Sequence, residues 1–296
     1  TLADYYRENG ENKKSYEELK LAFKSDGLNI EIKISVLLSY YKLISFSDEM
    51  KNQAYELVDI LIQKYPEDTK ATIVYADILY TDKRYEEAKK HYLKALDKEK
   101  NILSTWAQVL FIQAEQNDFA KMINTSEEAL IYFPVEPIFY YFNGISNKRI
   151  KNYNKSIESL TTGLEFIVDN NKLLLEFYLS LADSYHALNK HTMSDSLYDQ
   201  ALLIDPENII ALNNYAYYLS LRKVNLQRAK EMSYKSNQLE NNNGTYQDTY
   251  AWILYQREEY QEAKEWILKA LQNGSGENPV VIEHYGDILY RLGEIE

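Results

Sequence analysis

Four histidines are the residues best suited to metal binding or acid–base catalysis, and their spacing argues against both roles. His186 and His191 are five residues apart across a predicted turn, whereas two zinc ligands on one helix face are four residues apart. His91 and His284 lie far from this pair in the sequence. The chain has no cysteine, which excludes thiolate ligands, disulfides and cysteine nucleophiles. We therefore predict no metal site.

Sequence motifs for phosphate binding and acyl transfer are absent. The chain contains neither GxGxxG nor GxxxxGK[ST], whose glycines cradle phosphates, and it lacks the GxSxG nucleophile elbow. Adjacent carboxylates, such as Glu86 with Glu87 and Glu258 with Glu259, follow predicted turns, where acidic side chains favour the positive end of a helix. We therefore predict no catalytic residue and no cofactor.

The charge balance restricts the classes of partner. The net charge is −12, which argues against nucleic acid and against anionic lipid head groups, because both require clustered Lys and Arg. No apolar run approaches the roughly 18 residues of a membrane span. Tyrosine is unusually frequent, with 28 residues against 9 Phe and 3 Trp. Its flat apolar ring with a polar tip suits both half-exposed helix faces and contact surfaces.

Small and aromatic residues recur every 34 positions, and this period indicates how they are placed. Ala76, Leu110 and Gly144 are each 34 residues apart, and other small or aromatic positions follow the same spacing. A period of this length indicates stacked supersecondary units. Within one unit, residues 69–81 and 85–98 show apolar residues at three- and four-residue spacing, which predicts two amphipathic helices.

This pattern resembles the tetratricopeptide repeat (TPR). Ala76, Ala88 and Ala95 occupy the motif's small positions, while Tyr85 and Tyr92 occupy its aromatic ones. The resemblance implies an all-α, right-handed superhelical solenoid of antiparallel helix pairs with about seven or eight repeats. We expect one array over residues 1–296, with further repeats on either side in the full gene. The predicted units are 1–29 (partial), 30–68 (degenerate), 69–102, 103–136, 137–170, 175–208, 209–243, 244–278 and 279–296 (partial), with residues 171–174 lengthening one helix.

In TPR arrays the first helices line a concave groove, so the resemblance also implies candidate site residues. The groove positions carry many aromatic rings, and aromatic residues are enriched among binding hot spots. Two asparagines resemble those with which some TPRs hold an extended peptide, whereas the basic residues do not form the carboxylate clamp of chaperone-tail TPRs. The predicted partner-binding residues are Phe111, Tyr141, Phe142, Lys148, Arg149, Asn213, Asn214, Tyr217, Asp248, Trp252 and Tyr255.

A closer resemblance concerns residues 212–293. Bacterial envelope TPR proteins, many of them outer-membrane lipoproteins, have similar blocks to LNNYAYYLSLR, TYQDTYAWILYQREEYQEAKEWI and VVIEHYGDILYRLG. Outside this range, the segment YADILY at residues 75–80 resembles the corresponding segment of Bacteroidetes members. This resemblance implies a periplasmic adaptor, with any lipid anchor upstream of the chain; a cytoplasmic location is the alternative.

The predicted function is a non-catalytic scaffold that binds a partner peptide or helix in its groove. Three alternatives stay open at this point. The first is a structural subunit of an outer-membrane or secretion assembly that uses its convex surfaces. The second is a receptor for a small ligand or glycan, and the third is an enzyme whose catalytic domain lies outside this chain.

Overall fold

The recurring apolar residues lie on the buried faces of helices in the computed structural model, which describes residues 2–45 and 47–294. Within those residues every regular element is helical, and most helices pack as consecutive antiparallel pairs. The predicted all-α solenoid of helix pairs is confirmed, whereas the repeat boundaries stay a prediction. Positions 1, 46, 295 and 296 of the predicted units lie outside the described residues.

The helices fall into two compact units, Thr1–Ser146 and Asn147–Glu296, and the division lies within one helix, α9 (Pro137–Arg149). The helices before it are α1 (Leu2–Glu8), α2 (Asn12–Lys24), α3 (Ile30–Ile44), α4 (Asp48–Lys64), α5 (Thr69–Thr81), α6 (Tyr85–Lys98), α7 (Leu103–Glu115) and α8 (Phe119–Tyr132). The helices after it are α10 (Tyr153–Leu164), α11 (Asn171–Ala187), α12 (His191–Ile204), α13 (Ile209–Arg222), α14 (Leu226–Leu239), α15 (Gly244–Gln256), α16 (Tyr260–Ala270) and α17 (Pro279–Leu292).

Small side chains lie where two helices approach most closely. Ala76 on α5 and Ala88 and Ala95 on α6 are fully buried. Helix axes at this kind of contact are about 8–10 Å apart, which leaves little room for a larger side chain. In the second unit, Ala201 on α12 and Ala216 on α13 are buried in the same way. The small positions of the sequence pattern are therefore contact points between helices.

Most turns between paired helices share one backbone conformation among the described residues. A residue with positive φ recurs in these turns, and in most of them it is not glycine. A left-handed residue is a common way to end a helix, and Asn tolerates that region better than most residues. The residues concerned are Gly10, Lys83, Asn117, Lys151, Asn189, Lys223 and Glu258, and Gly293 has the same conformation at the end of α17.

The predicted lengthening of one helix is confirmed. Helix α11 has 17 residues and begins at Asn171, whereas α5 and α7 have 13 each. Asn170 starts it as the N-cap, because its side chain accepts a hydrogen bond from the Leu173 amide.

The close approach of α15 to the turn after α16 depends on Gly244. A Cβ atom at this position would lie 2.7 Å from the Asn273 carbonyl oxygen and 2.8 Å from the Ala270 carbonyl oxygen. Both neighbours are backbone atoms, so they cannot rotate away. In contrast, a Cβ atom at Gly286 on α17 would meet nothing within 4 Å.

These two glycines give a matched stability test. We expect Gly244→Ala to lower the free energy of unfolding by about 1–3 kcal/mol, as overpacking does elsewhere. Gly286→Ala should raise it by up to about 1 kcal/mol, because alanine favours a helix interior. Urea denaturation followed by circular dichroism measures both. Equal stabilities for the two variants would contradict the packing described here.

Candidate binding surface

Helices α13, α15 and α17 of the second unit pack side by side. Among the predicted site residues on these helices, three are aromatic: Tyr217 on α13 and Trp252 and Tyr255 on α15, all of which are half-buried. We call these three residues the aromatic face. Exposed parts of aromatic rings cost free energy in water unless something covers them, so such a surface is suited to a partner.

Three rings form a parallel stack at this face. The Trp252 ring lies 4.8 Å from the Tyr255 ring at an interplanar angle of 11°, and 3.9 Å from the His284 ring of α17 at 13°. Each ring therefore fixes the orientation of the next. Trp252 Nε1 is buried and has no hydrogen-bond partner among the described residues, so this indole does not gain a bond from its own fold.

A buried pair beneath the stack holds His284 in place. His284 Nδ1 lies 2.8 Å from Asp248 Oδ1, and both residues are buried. The predicted site residue Asp248 therefore supports the surface and does not line it, which corrects the sequence-based assignment. Burial raises the pKa of the Tyr217 hydroxyl, and the Asp248 carboxylate raises it further. The hydroxyl therefore stays protonated at neutral pH and is able to donate a hydrogen bond.

The two predicted asparagines differ in exposure. Asn214 is half-buried and accepts a hydrogen bond from the Asn213 amide over 3.3 Å. Asn213 is only 4% exposed, and its Oδ1 has no partner among the described residues. Packing on α13 thus withdraws Asn213 from the surface, against the prediction, and leaves Asn214 at the edge of the aromatic face.

The predicted aromatic residues of the first unit form a smaller patch. Phe111 on α7 is 44% exposed, and its ring meets that of Phe142 edge-on at 5.1 Å. Phe142 is only 3% exposed because it belongs to the hydrophobic core of this unit, so its assignment as a contact residue is wrong. Tyr141 is half-buried, with its ring 6.0 Å from that of Phe142.

The predicted basic residues lie at the end of α9. Lys148 Nζ forms an ion pair with Asp183 Oδ2 over 2.9 Å. Asp183 also accepts hydrogen bonds from the Tyr198 hydroxyl at 2.5 Å and the Tyr218 hydroxyl at 3.3 Å. Lys148 is therefore engaged in packing, while Arg149 is exposed.

Sequence reasoning missed the role of Tyr218, which neighbours the predicted Tyr217. The Tyr218 ring stacks on His186 at 3.5 Å and 7°, and the His191 ring lies 5.4 Å from that of His186. Burial lowers the pKa of His186, and the nearby His191 and Arg222 lower it further. The one signal in the sequence was the pair of histidines on either side of a turn.

Two kinds of site are absent from the part of the chain that the structure describes. Across residues 2–45 and 47–294, no group of three or more His, Asp or Glu side chains is arranged to hold a metal ion. Within the same ranges, none of the helices has both the length and the apolar character needed to span a bilayer.

Comparison with known proteins supports the TPR resemblance in two segments. A family model described as tetratricopeptide repeat matches residues 71–98 and 175–208, so these two segments are similar to TPR units. No curated protein sequence matches the chain significantly.

Several solved structures share the fold at low sequence identity. Cut9–Hcn1, an APC/C hetero-tetramer, is 13% identical, with a TM-score of 0.65 over 93% of this chain and 52% of that chain. This chain thus spans about half the length of that protein. A TPR protein from Parabacteroides merdae is 16% identical, with a TM-score of 0.62 over 87% of this chain and 99% of that one. YrrB, a TPR protein with an unusual peptide-binding site, is 13% identical, with a TM-score of 0.51 over 66% and 97%.

The histidine pair generates a prediction on pH dependence. Because the pKa of His186 is lower in the folded chain than its ordinary 6.5, the unfolded chain binds the proton more readily. The free energy of unfolding should therefore fall as the pH drops below about 6.5. His186→Phe keeps a ring against Tyr218, so it should reduce this fall between pH 7.5 and 5.5 in urea titrations. An unchanged fall would contradict the assignment.

Proposed function

We propose that this chain is a non-catalytic scaffold that captures a peptide segment or helix of a partner protein at the aromatic face. The half-exposed stack of Tyr255 and Trp252 on His284 carries the proposal. When a partner side chain packs against these fixed rings, apolar surface is removed from water. The aromatic face does not have to rearrange for this contact to form. Preorganisation of this kind reduces the entropy cost of binding.

The half-buried Trp252 ring is the centre of this stack. Tryptophan is the residue most enriched in binding hot spots, together with Tyr and Arg. The exposed part of the Trp252 ring is therefore available to a partner, whereas its buried N–H is not.

Hydrogen-bonding groups at the edges suit a peptide. The Tyr217 hydroxyl is a protonated donor, and the Asn214 amide both donates and accepts. An extended or helical peptide offers carbonyl and N–H groups to such side chains. The TPR fold is consistent with protein–protein interaction, and YrrB is a TPR protein with a peptide-binding site. Exposed Phe111 and half-buried Tyr141 form a smaller contact patch of the same chemistry in the first unit.

The proposed setting is the periplasmic side of a Gram-negative envelope. Its support is the sequence resemblance of residues 212–293 to bacterial envelope TPR proteins. A composition rich in Tyr, Lys and Asn, which is similar to that of Bacteroidetes members, supports it further. Partner capture by a scaffold in this compartment would serve an envelope complex.

Loss of ring area from the aromatic face should weaken partner binding. We expect Tyr255→Ala and Tyr217→Ala each to reduce recovery of the partner at least about fivefold in affinity purification with quantitative mass spectrometry, because hot-spot truncations typically cost over 1 kcal/mol. Tyr234→Ala is the matched control, since Tyr234 is 46% exposed on α14. Unchanged partners in both face variants, with the fold intact, would favour a structural subunit that uses other surfaces.

The location has its own test in the native cells. The intact gene product should resist added protease in whole cells and become digested once the outer membrane alone is permeabilised. Protection that persists until the inner membrane is lysed would instead assign the protein to the cytoplasm.

A further inference from the structure

The first unit contains a cleft, whereas the aromatic face belongs to the second unit. It has a volume of about 810 Å³ and opens between α2 and α3, with α1 and α4 contributing to its walls. Helix α2 packs against α4, where the Tyr16 hydroxyl donates a hydrogen bond to the Glu56 carboxylate over 2.9 Å. Apolar side chains dominate the lining, among them Leu19, Ala22, Ile32, Val36 and Met50.

The walls follow helical spacing. Ile32, Val36 and Tyr40 lie at four-residue intervals along α3, so they form a ridge about 12 Å long. Leu21 is 59% exposed and Ile32 is 48% exposed, although both line the cleft. Apolar side chains that line a concave site are stabilised when another apolar surface covers them and removes them from water.

The dimensions match the apolar half of a short helix. A three-turn helix is about 16 Å long and about 10 Å across, so it fills about 1200 Å³ and its buried half about 600 Å³. The cleft therefore has room for that half, with its axis along the ridge of α3. Packing between helical ridges would follow the same geometry as helix packing elsewhere in the chain.

The charge of the cleft indicates which side chains a bound helix would carry. Of the described residues that line it, Glu18 alone is charged, and it forms no ion pair with any described residue. Its neighbour Glu17, in contrast, is paired with Lys20 over 2.8 Å. The Ser15 and Ser39 hydroxyls already donate to the carbonyls of Ala3 and Val36. Glu18 lies where the cleft meets a smaller concavity that Lys13, Lys14 and Glu17 also line. Its half-buried carboxylate is complementary to a cation on the occupant of the cleft.

We propose that this cleft is a second interaction site, which binds an amphipathic helix of a partner protein. The helix places apolar side chains between α2 and α3, and one Lys or Arg on the same face pairs with Glu18. This site is independent of the aromatic face and does not rest on the function proposed for it.

Two fluorescent peptides test the proposal on the whole chain. Both are 14-residue amphipathic helices with a leucine face, and they differ only in a central lysine or glutamate on that face. Fluorescence anisotropy should show saturable binding of the lysine peptide. Glu18→Lys should weaken that binding at least about tenfold and strengthen binding of the glutamate peptide, as a charge reversal at a desolvated contact does. Ile32→Asp should also weaken the lysine peptide.

Two controls define the site. Glu127→Lys makes the same charge change at an exposed position on α8 and should leave binding unchanged. Tyr255→Ala should also leave it unchanged, so a failure here is distinguishable from a failure of the aromatic face. Absence of saturable binding, or binding insensitive to Glu18→Lys, would overturn the proposal. A fluorescent fatty acid is the alternative occupant. If it binds and Ile32→Asp abolishes its binding, while the lysine peptide does not bind, the proposal is also overturned.

Discussion

Close contact between paired helices at small side chains is the constraint on which the rest of the structure depends. A single helix pair cannot bury its own apolar surface, so each pair must pack on the next. Ala76 and Ala216 are fully buried at such contacts. At Gly244, the backbone of α15 approaches the backbone at the end of α16 so closely that a Cβ atom would not fit. Because this packing uses fixed faces of each helix, the remaining face of the first helices is left for side chains with other roles.

Half-buried carboxylates connect neighbouring pairs and decide which polar side chains remain available. In the first unit, Asp77 accepts hydrogen bonds from Tyr92 at 2.5 Å and Tyr41 at 2.9 Å. Asp183 has the equivalent role in the second unit and also holds Lys148. Burial raises the pKa of Asp77, although its two tyrosine donors oppose that shift. These hydroxyls and the Lys148 ammonium group are thus engaged in packing, whereas part of each ring of the aromatic face stays exposed.

The sequence predicted the helices well and the surface only in part. The 34-residue period gave the small contact positions, such as Ala76, because that spacing follows directly from repeated packing. It did not separate Tyr217 from Tyr218, or show that Asp248 and Phe142 are buried. The burial of each of these side chains depends on how much of its helix face the next helix covers. The residues around one position do not determine that coverage. The α2–α3 cleft was not predicted at all, and it lies in residues 1–68, where the repeat pattern is weakest.

The proposed function requires that a partner contacts the aromatic face of the second unit. Photo-crosslinking in living cells tests it most directly, with p-benzoylphenylalanine replacing Tyr255 in one strain and Tyr234 of α14 in another. We expect a discrete crosslinked adduct with one partner protein from position 255 and none from position 234. Adducts from position 234 alone, in a protein that is folded and abundant in both strains, would contradict it.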